Sequence, residues 1–211
     1  IDAQANGIRE KTEGFEDELP LAAVTISYAN EVKFKNCNFK MLGSNGINIL
    51  AGAKNIQISN CNFNDISSTA VAVGGVSSNF RLPGSAAEVI ENIEISECDI
   101  SKAALEFYSG VGISVGMAKN VTIRNNNISE LNYTGLHIGW GMYGDDEINA
   151  GTTYGLLSGI KILNNRIKNT NYMLSDGAPV YLRGINGTTK DNPNIISGNY
   201  IDGMCTGGSA V

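Results

Sequence analysis

The stretch Val121-Thr122-Ile123-Arg124-Asn125-Asn126-Asn127-Ile128 alternates apolar and polar residues, turns through asparagines and returns to an apolar side chain. The same plan precedes it at Val32-Lys33-Phe34-Lys35-Asn36-Cys37-Asn38-Phe39, Ile56-Gln57-Ile58-Ser59-Asn60-Cys61-Asn62-Phe63 and Ile93-Glu94-Ile95-Ser96-Glu97-Cys98-Asp99-Ile100. It follows at Ile160-Lys161-Ile162-Leu163-Asn164-Asn165-Arg166-Ile167 and, more loosely, at Asn194-Ile195-Ile196-Ser197-Gly198-Asn199-Tyr200-Ile201. Alternation with period two marks a strand, and Asn suits the tight corner that ends it. A strand-and-corner unit recurring every few tens of residues is the mark of a solenoid, whose units bury their apolar faces only against neighbours. With strands wound in one sense, the expected fold is all-β: a right-handed parallel β-helix of about six to seven coils.

A further strand follows each corner: Ala23-Val24-Thr25-Ile26, Gly46-Ile47-Asn48-Ile49, Ala70-Val71-Ala72-Val73, Gly112-Ile113-Ser114-Val115, Gly135-Leu136-His137-Ile138, Pro179-Val180-Tyr181-Leu182 and Gly208-Ser209-Ala210-Val211. Alternation sends Val, Ile and Leu inward and sets Thr25, Asn48, Ala72, Ser114, His137, Tyr181 and Ala210 in an outward column. The corners stack too, as Cys37, Cys61 and Cys98 continued by Asn126, Asn165 and Asn199. Such a ladder of like residues satisfies corner amides. For the cysteines a stack of small buried side chains is expected. A Cys37–Cys61 disulfide fits the rung spacing but not the parallel geometry. Cys205 falls outside the column, and the spacing of Cys and His suggests no metal site.

The repeat makes residues 1–211 one domain, with 1–20 a lead-in segment and 21–211 the coils. The net charge of −6 is the wrong sign for nucleic acid. No apolar run approaches the ~18 residues of a membrane span, so membrane insertion is not expected. Gly208-Ser209-Ala210-Val211 reads as the start of another rung. The remaining coils of a longer polypeptide are therefore expected beyond Val211, because an uncapped solenoid end would face water.

Coil length points to the working face. Extra residues fall after the second strand at 74–92, 139–159 and 183–193, and before it at 101–111 and 168–178. Both sets flank the outward column. Loops raised on two sides of a flat sheet make a trough, and long loops on a rigid scaffold carry function. A trough suits an extended chain such as a polysaccharide.

Four features converge there. His137 and Trp140 are the single His and Trp of the chain, in a glycine-rich segment; an outward His meets substrate or solvent, and a Trp plate stacks on a sugar or packs under its own loop. Asp145, Asp146 and Glu147 form an acidic run whose mutual repulsion raises a carboxyl toward the range of a general acid. The alternatives for that run are a solvated loop tip or a Ca²⁺ site. Asp176 precedes Gly177 and Pro179, so its pose is restrained, although Asp-Gly is also ordinary turn chemistry. Tyr181 and Arg183 stand side by side, able to bind sugar hydroxyls or carboxylates. Glycoside hydrolysis needs two carboxyl groups, one to protonate the leaving oxygen and one to attack or to activate water. Asp176 with Asp146 or Glu147 would supply them, with His137, Trp140, Tyr181, Arg183 and Asp145 contacting substrate and no cofactor required.

These residues also carry a resemblance. Ala22-Ala23-Val24, Leu42-Gly43-Ser44-Asn45-Gly46-Ile47, Tyr133-Thr134-Gly135-Leu136-His137-Ile138-Gly139-Trp140-Gly141 and Ser175-Asp176-Gly177 resemble the central part of bacterial parallel β-helix glycoside hydrolases. That group includes α-L-fucosidases and xylanases. The chain departs from the pattern at Met142 and at Ala178-Pro179. The resemblance implies a bacterial enzyme, extracellular or periplasmic, acting on a plant or host glycan. Two other readings stay open. A polysaccharide lyase on uronate polymers would need cationic groups, for which Arg183 and Lys190 are candidates against an acidic balance. A non-catalytic carbohydrate-binding or adhesin β-helix would need no carboxylate pair.

Overall fold

A computed structural model describes residues 21–74, 83–139, 157–182 and 190–204. No helix occurs among them. The chain winds through three parallel sheets of six strands each. The first sheet holds β1 (Ala22–Ile26), β4 (Asn45–Ile49), β7 (Val71–Val73), β10 (Ile113–Val115), β13 (Leu136–Ile138) and β16 (Val180–Leu182). The second holds β2 (Lys33–Lys35), β5 (Lys54–Ser59), β8 (Glu91–Ser96), β11 (Lys119–Arg124), β14 (Lys161–Leu163) and β17 (Ile195–Ser197). The third holds β3 (Asn38–Leu42), β6 (Asn62–Ile66), β9 (Asp99–Ala103), β12 (Asn127–Ser129), β15 (Arg166–Thr170) and β18 (Tyr200–Met204). The parallel β-helix therefore stands, with six rungs described; Ala210 lies outside the described residues.

Each coil has three strands where the repeat suggested two. The apolar residue after each corner opens the third sheet. It is Phe39, Phe63, Ile100, Ile128, Ile167 and Ile201, in register from rung to rung. Phe39 and Phe63 stack with centroids 4.6 Å apart. With the inward Ile and Val residues of the other sheets, all of these but the exposed Ile201 form one continuous core. Burial of such side chains, about 1.5–3 kcal/mol each, drives the winding.

The sheets meet at corners held by left-handed backbone. Asn36, Asn60, Glu97, Asn125 and Asn164, all non-glycine, have φ of 51–57° between the second and third sheets, and Gly198 continues the column. Asn visits this region at little cost because its short amide bonds locally. Next to it runs the inner ladder. Asn126 Oδ1 accepts from the Cys98 amide at 2.9 Å while Asn126 Nδ2 donates to the Ile95 carbonyl at 2.9 Å. Asn165 serves Asn126 and Ile123 in the same way, and Asn199 serves Asn165 and Ile162. Each asparagine thus closes the corner of the coil before it. Cysteine does the same weakly, with Cys61 Sγ accepting from the Cys37 amide at 3.4 Å. Cys37, Cys61 and Cys98 are free thiols, so the disulfide is absent. Burial pushes the Cys61 thiol up and the Cys98 thiol up to about 12, which leaves them packing groups rather than nucleophiles.

Candidate functional site

The register of the first sheet builds the expected column. Thr25 pairs with Asn48, Asn48 with Ala72, Ala72 with Ser114, Ser114 with His137, and His137 with Tyr181. None of these side chains belongs to the apolar core, whereas their neighbours Leu136 and Ile138 do. The column is not, however, an open trough floor. Thr25 is exposed and Tyr181 half-buried, but Asn48, Ala72 and Ser114 are buried and His137 is 0 % exposed. The alternation assigned the face correctly and the solvent exposure wrongly, because period two shows which side of the sheet a residue takes, not what lies above it. His137 is neither a solvated surface group nor a residue open to substrate. It packs against the Tyr181 ring edge-on, centroids 4.8 Å apart.

The lead-in glycines of this sheet are structural as well. A Cβ on Gly135 would come within 2.6 Å of the Pro179 carbonyl and 2.8 Å of Ile167, and one on Gly112 within 2.6 Å of the Gly135 carbonyl. They make room for the next coil.

Asp176 belongs to the corner that leads from the third sheet to the first. The expected insertions at 101–111 and 168–178 begin later than the sequence suggested, since residues through Ala103 and Thr170 still belong to β9 and β15. What remains is two long corner segments with a short one between. The segment after β15 lies on the coil before it. The Asn171 amide donates to the Tyr133 carbonyl at 2.9 Å, and those of Tyr172 and Met173 to Leu131 and Asn132 at 3.2 and 3.0 Å. The segment after β9 likewise lies on Ser67 and Ser68, with the Ala104 and Phe107 amides each donating at 2.9 Å.

Within the later segment Asp176 is exposed, but its base is fixed. Tyr133, buried in the preceding coil, donates its hydroxyl to the Asp176 carboxylate and stands beside Thr134 and Tyr181. Burial first, then the charge of Asp176, hold the Tyr133 phenol well above its usual range, so it stays a donor. The Ala178 amide donates to Thr134 Oγ1 at 3.4 Å, and Asn171 Nδ2 to the Leu174 carbonyl at 3.2 Å. Gly177 fits between them with no room to spare: a Cβ there would meet Thr134, Tyr133 and Asn171, the last at 2.7 Å. Asp-Gly is thus a close-packed join as well as a turn. Thr170 Oγ1 and Asn171 Oδ1 are buried beside it without a hydrogen-bond partner, a cost the core corners do not carry.

Of the residues expected in the site, the structure brings together Asp176, Tyr181 and His137, with Tyr133 and Thr134 among them. Asp176 is not level with His137, whose register partner is Tyr181; it stands earlier along the coil, over Tyr133. Trp140, Asp145, Asp146, Glu147 and Arg183 lie outside the described residues. Among the described residues, no group of three or more His, Cys, Asp or Glu side chains is placed to hold a metal ion. Tyr133, Thr134 and Asn171 had no place in the expected site. A signal did exist: a tyrosine two residues before the lead-in Gly135 is drawn into the coil, and a buried phenol needs a partner.

The right-handed β-helix family model matches residues 22–211, and the chain belongs to that family. It is also similar to a solved structure named as a glycoside hydrolase, with a TM-score of 0.65 and 20 % identity, over 89 % of this chain and 38 % of that one. The chain spans well under half the length of that protein, and the likeness is one of fold. No curated protein matches the chain.

Proposed function

We propose that the chain is the glycan-cleaving part of a glycoside hydrolase, with Asp176 as one of its two catalytic carboxyl groups. One observation carries this reading: Asp176 is the carboxylate offered to solvent from a packed, hydrogen-bonded seat beside the His137–Tyr181 pair. A loop-tip aspartate kept only for its turn needs neither a buried tyrosine donating to it nor a glycine that admits no Cβ. Fixing a reacting group through the residues behind it is how positioning contributes to rate. The second carboxyl group is Asp146 or Glu147, with Asp145 beside them, on the segment following β13. Trp140, Arg183 and Tyr181 contact the sugar, and His137 orients Tyr181 from below. The substrate is a plant or host glycan met outside the cell. The family likeness and the glycoside hydrolase neighbour support the reading at the level of fold. Asp176→Asn in the full-length protein tests it. Release of reducing sugar falls by at least about 10²-fold while the thermal melt is unchanged. Normal turnover by Asp176→Asn removes Asp176 from the mechanism, and unsaturated products absorbing in the ultraviolet replace hydrolysis with elimination.

A further inference from the structure

Large exposed hydrophobic side chains occur on this solenoid in a pattern. Most lie on the first coil, as Leu21, Tyr28 and Met41, or on the last rung, as Leu182, Ile195, Ile196, Tyr200, Ile201 and Met204. There an unstacked edge accounts for them. Elsewhere among the described residues the set is Phe107, Tyr108, Tyr172 and Met173, with exposures of 39 to 51 %. All of them stand on the two long corner segments that run from the third sheet to the first. Isolated exposed apolar groups need no explanation, but a cluster on one edge does.

The two segments bracket one short corner. Asn132 Nδ2 donates to the Ala104 carbonyl of the earlier segment at 2.8 Å, and the Asn132 carbonyl accepts from Met173 and Leu174 of the later one at 3.0 and 3.1 Å. At one coil per ~4.8 Å, the Phe107–Tyr108 and Tyr172–Met173 segments are about 10 Å apart, and Asp176 belongs to the second of them. On these coils the two segments and the strand positions leading into the corners carry Asp65, Glu106, Glu130 and Asp176 against Lys102.

We infer that this edge is a glycan-binding ledge, on which Phe107, Tyr108 and Tyr172 stack against successive rings of a neutral oligosaccharide and lead it to Asp176. The inference rests on the hydrolase reading above and moves its substrate from the sheet face to the corner. The covered face supports the move, since Asn48, Ala72, Ser114 and His137 offer no surface for a chain to lie on. The C–H face of a pyranose is apolar and weakly positive, matching the negative face of an aromatic ring, while its hydroxyls reach the polar rim. Branched aliphatic side chains, which a protein partner's core would favour, are absent from the exposed set on this edge. The acidic rim disfavours uronate or sulfated chains, so the class is neutral.

The test uses the full-length protein on a glycan microarray carrying neutral and uronate oligosaccharides, followed by calorimetry with the best-bound member. Tyr108→Ala and Tyr172→Ala each weaken binding roughly two- to tenfold, and the double variant by the product; Asp176→Asn still binds. Thermal melts of all four match the parent. Binding by Tyr108→Ala/Tyr172→Ala equal to the parent overturns the ledge and leaves the hydrolase reading standing. Preference for uronate chains overturns the neutral class. A parent protein that binds no printed glycan overturns the hydrolase reading and the ledge with it. A parent dimer that Tyr172→Ala dissociates makes the edge a contact between copies of this chain instead.

Discussion

Two corners of the same coil are built on opposite terms. Between the second and third sheets every coil turns in the same few residues, with a left-handed residue and then a side chain that closes the corner of the coil before it. Between the third and first sheets the connection ranges from Gly43-Ser44 to the long segment carrying Asp176. It leaves Thr170 Oγ1 and Asn171 Oδ1 buried without partners, and it exposes aromatic rings. The first corner concentrates satisfied hydrogen bonds, and the second concentrates unpaired groups and surface. Regularity and variation are thus assigned to different edges of one repeat, as expected when a rigid scaffold carries variable loops, and the proposed site lies on the variable one.

Substitutions sharpen that contrast. The largest effect is expected at Asp176, where the activity loss stated above leaves the melt in place. Next is Asn165→Ala in the regular corner. It removes acceptor and donor together, stranding the Asn126 amide and the Ile123 carbonyl, and costs about 2–3 kcal/mol in denaturant unfolding. An effect below ~0.5 kcal/mol would show that the ladder is ornamental. Tyr133→Phe in the variable corner keeps the buried ring and loses only the hydroxyl. Here kcat falls about tenfold with KM little changed, and a loss confined to KM would make Tyr133 a binding group rather than a positioning one.

The thiols test the regular corner by chemistry. At pH 8 Cys61 and Cys98 resist alkylation in the folded protein, Cys98 most because its thiol ionises only near 12, while half-buried Cys37 reacts. Mass spectrometry of the labelled peptides reads the order. A raised thiol pKa favours the folded state below the unfolded value of about 8.5, and that contribution is lost as pH climbs toward 12. Alkaline unfolding should therefore expose Cys98 for labelling. The smallest effect belongs to Thr170→Val. Replacing a buried hydroxyl that lacks a partner with a methyl group leaves stability equal or raises it by up to about 1 kcal/mol. A clear loss would mean that Thr170 Oγ1 is satisfied after all.

What was legible in the sequence follows from what repeats. The Val121–Ile128 pattern and its copies carry a period and a corner, so the coil, its register and the Cys-Asn ladder could all be read from residue order. The third sheet was missed because a left-handed residue such as Asp65 or Glu130 interrupts or ends each of its strands, so that inward residues such as Phe63 and Ile66 fall three apart instead of two. A spacing of three does not show the alternation of a strand. The seat of Asp176 was only half legible. Asp-Gly announced a restrained turn, but the contact with Tyr133 joins residues of neighbouring coils through a segment of irregular length. No period reports such a pairing. Burial of His137 escaped for a similar reason, since cover from outside a sheet leaves no trace in the alternation within it.

The left-handed residues at Asn36, Asn60, Asn125 and Asn164 have a consequence for engineering. They set the pitch independently of the connection on the other edge, so this solenoid behaves as a rack with fixed shelf spacing and interchangeable fittings. A peptide whose ends match one ~4.8 Å step should graft in place of the segment between β9 and β10 without disturbing the shelves above or below. Whole coils could be duplicated on the same logic, lengthening the edge by a known increment for each copy added.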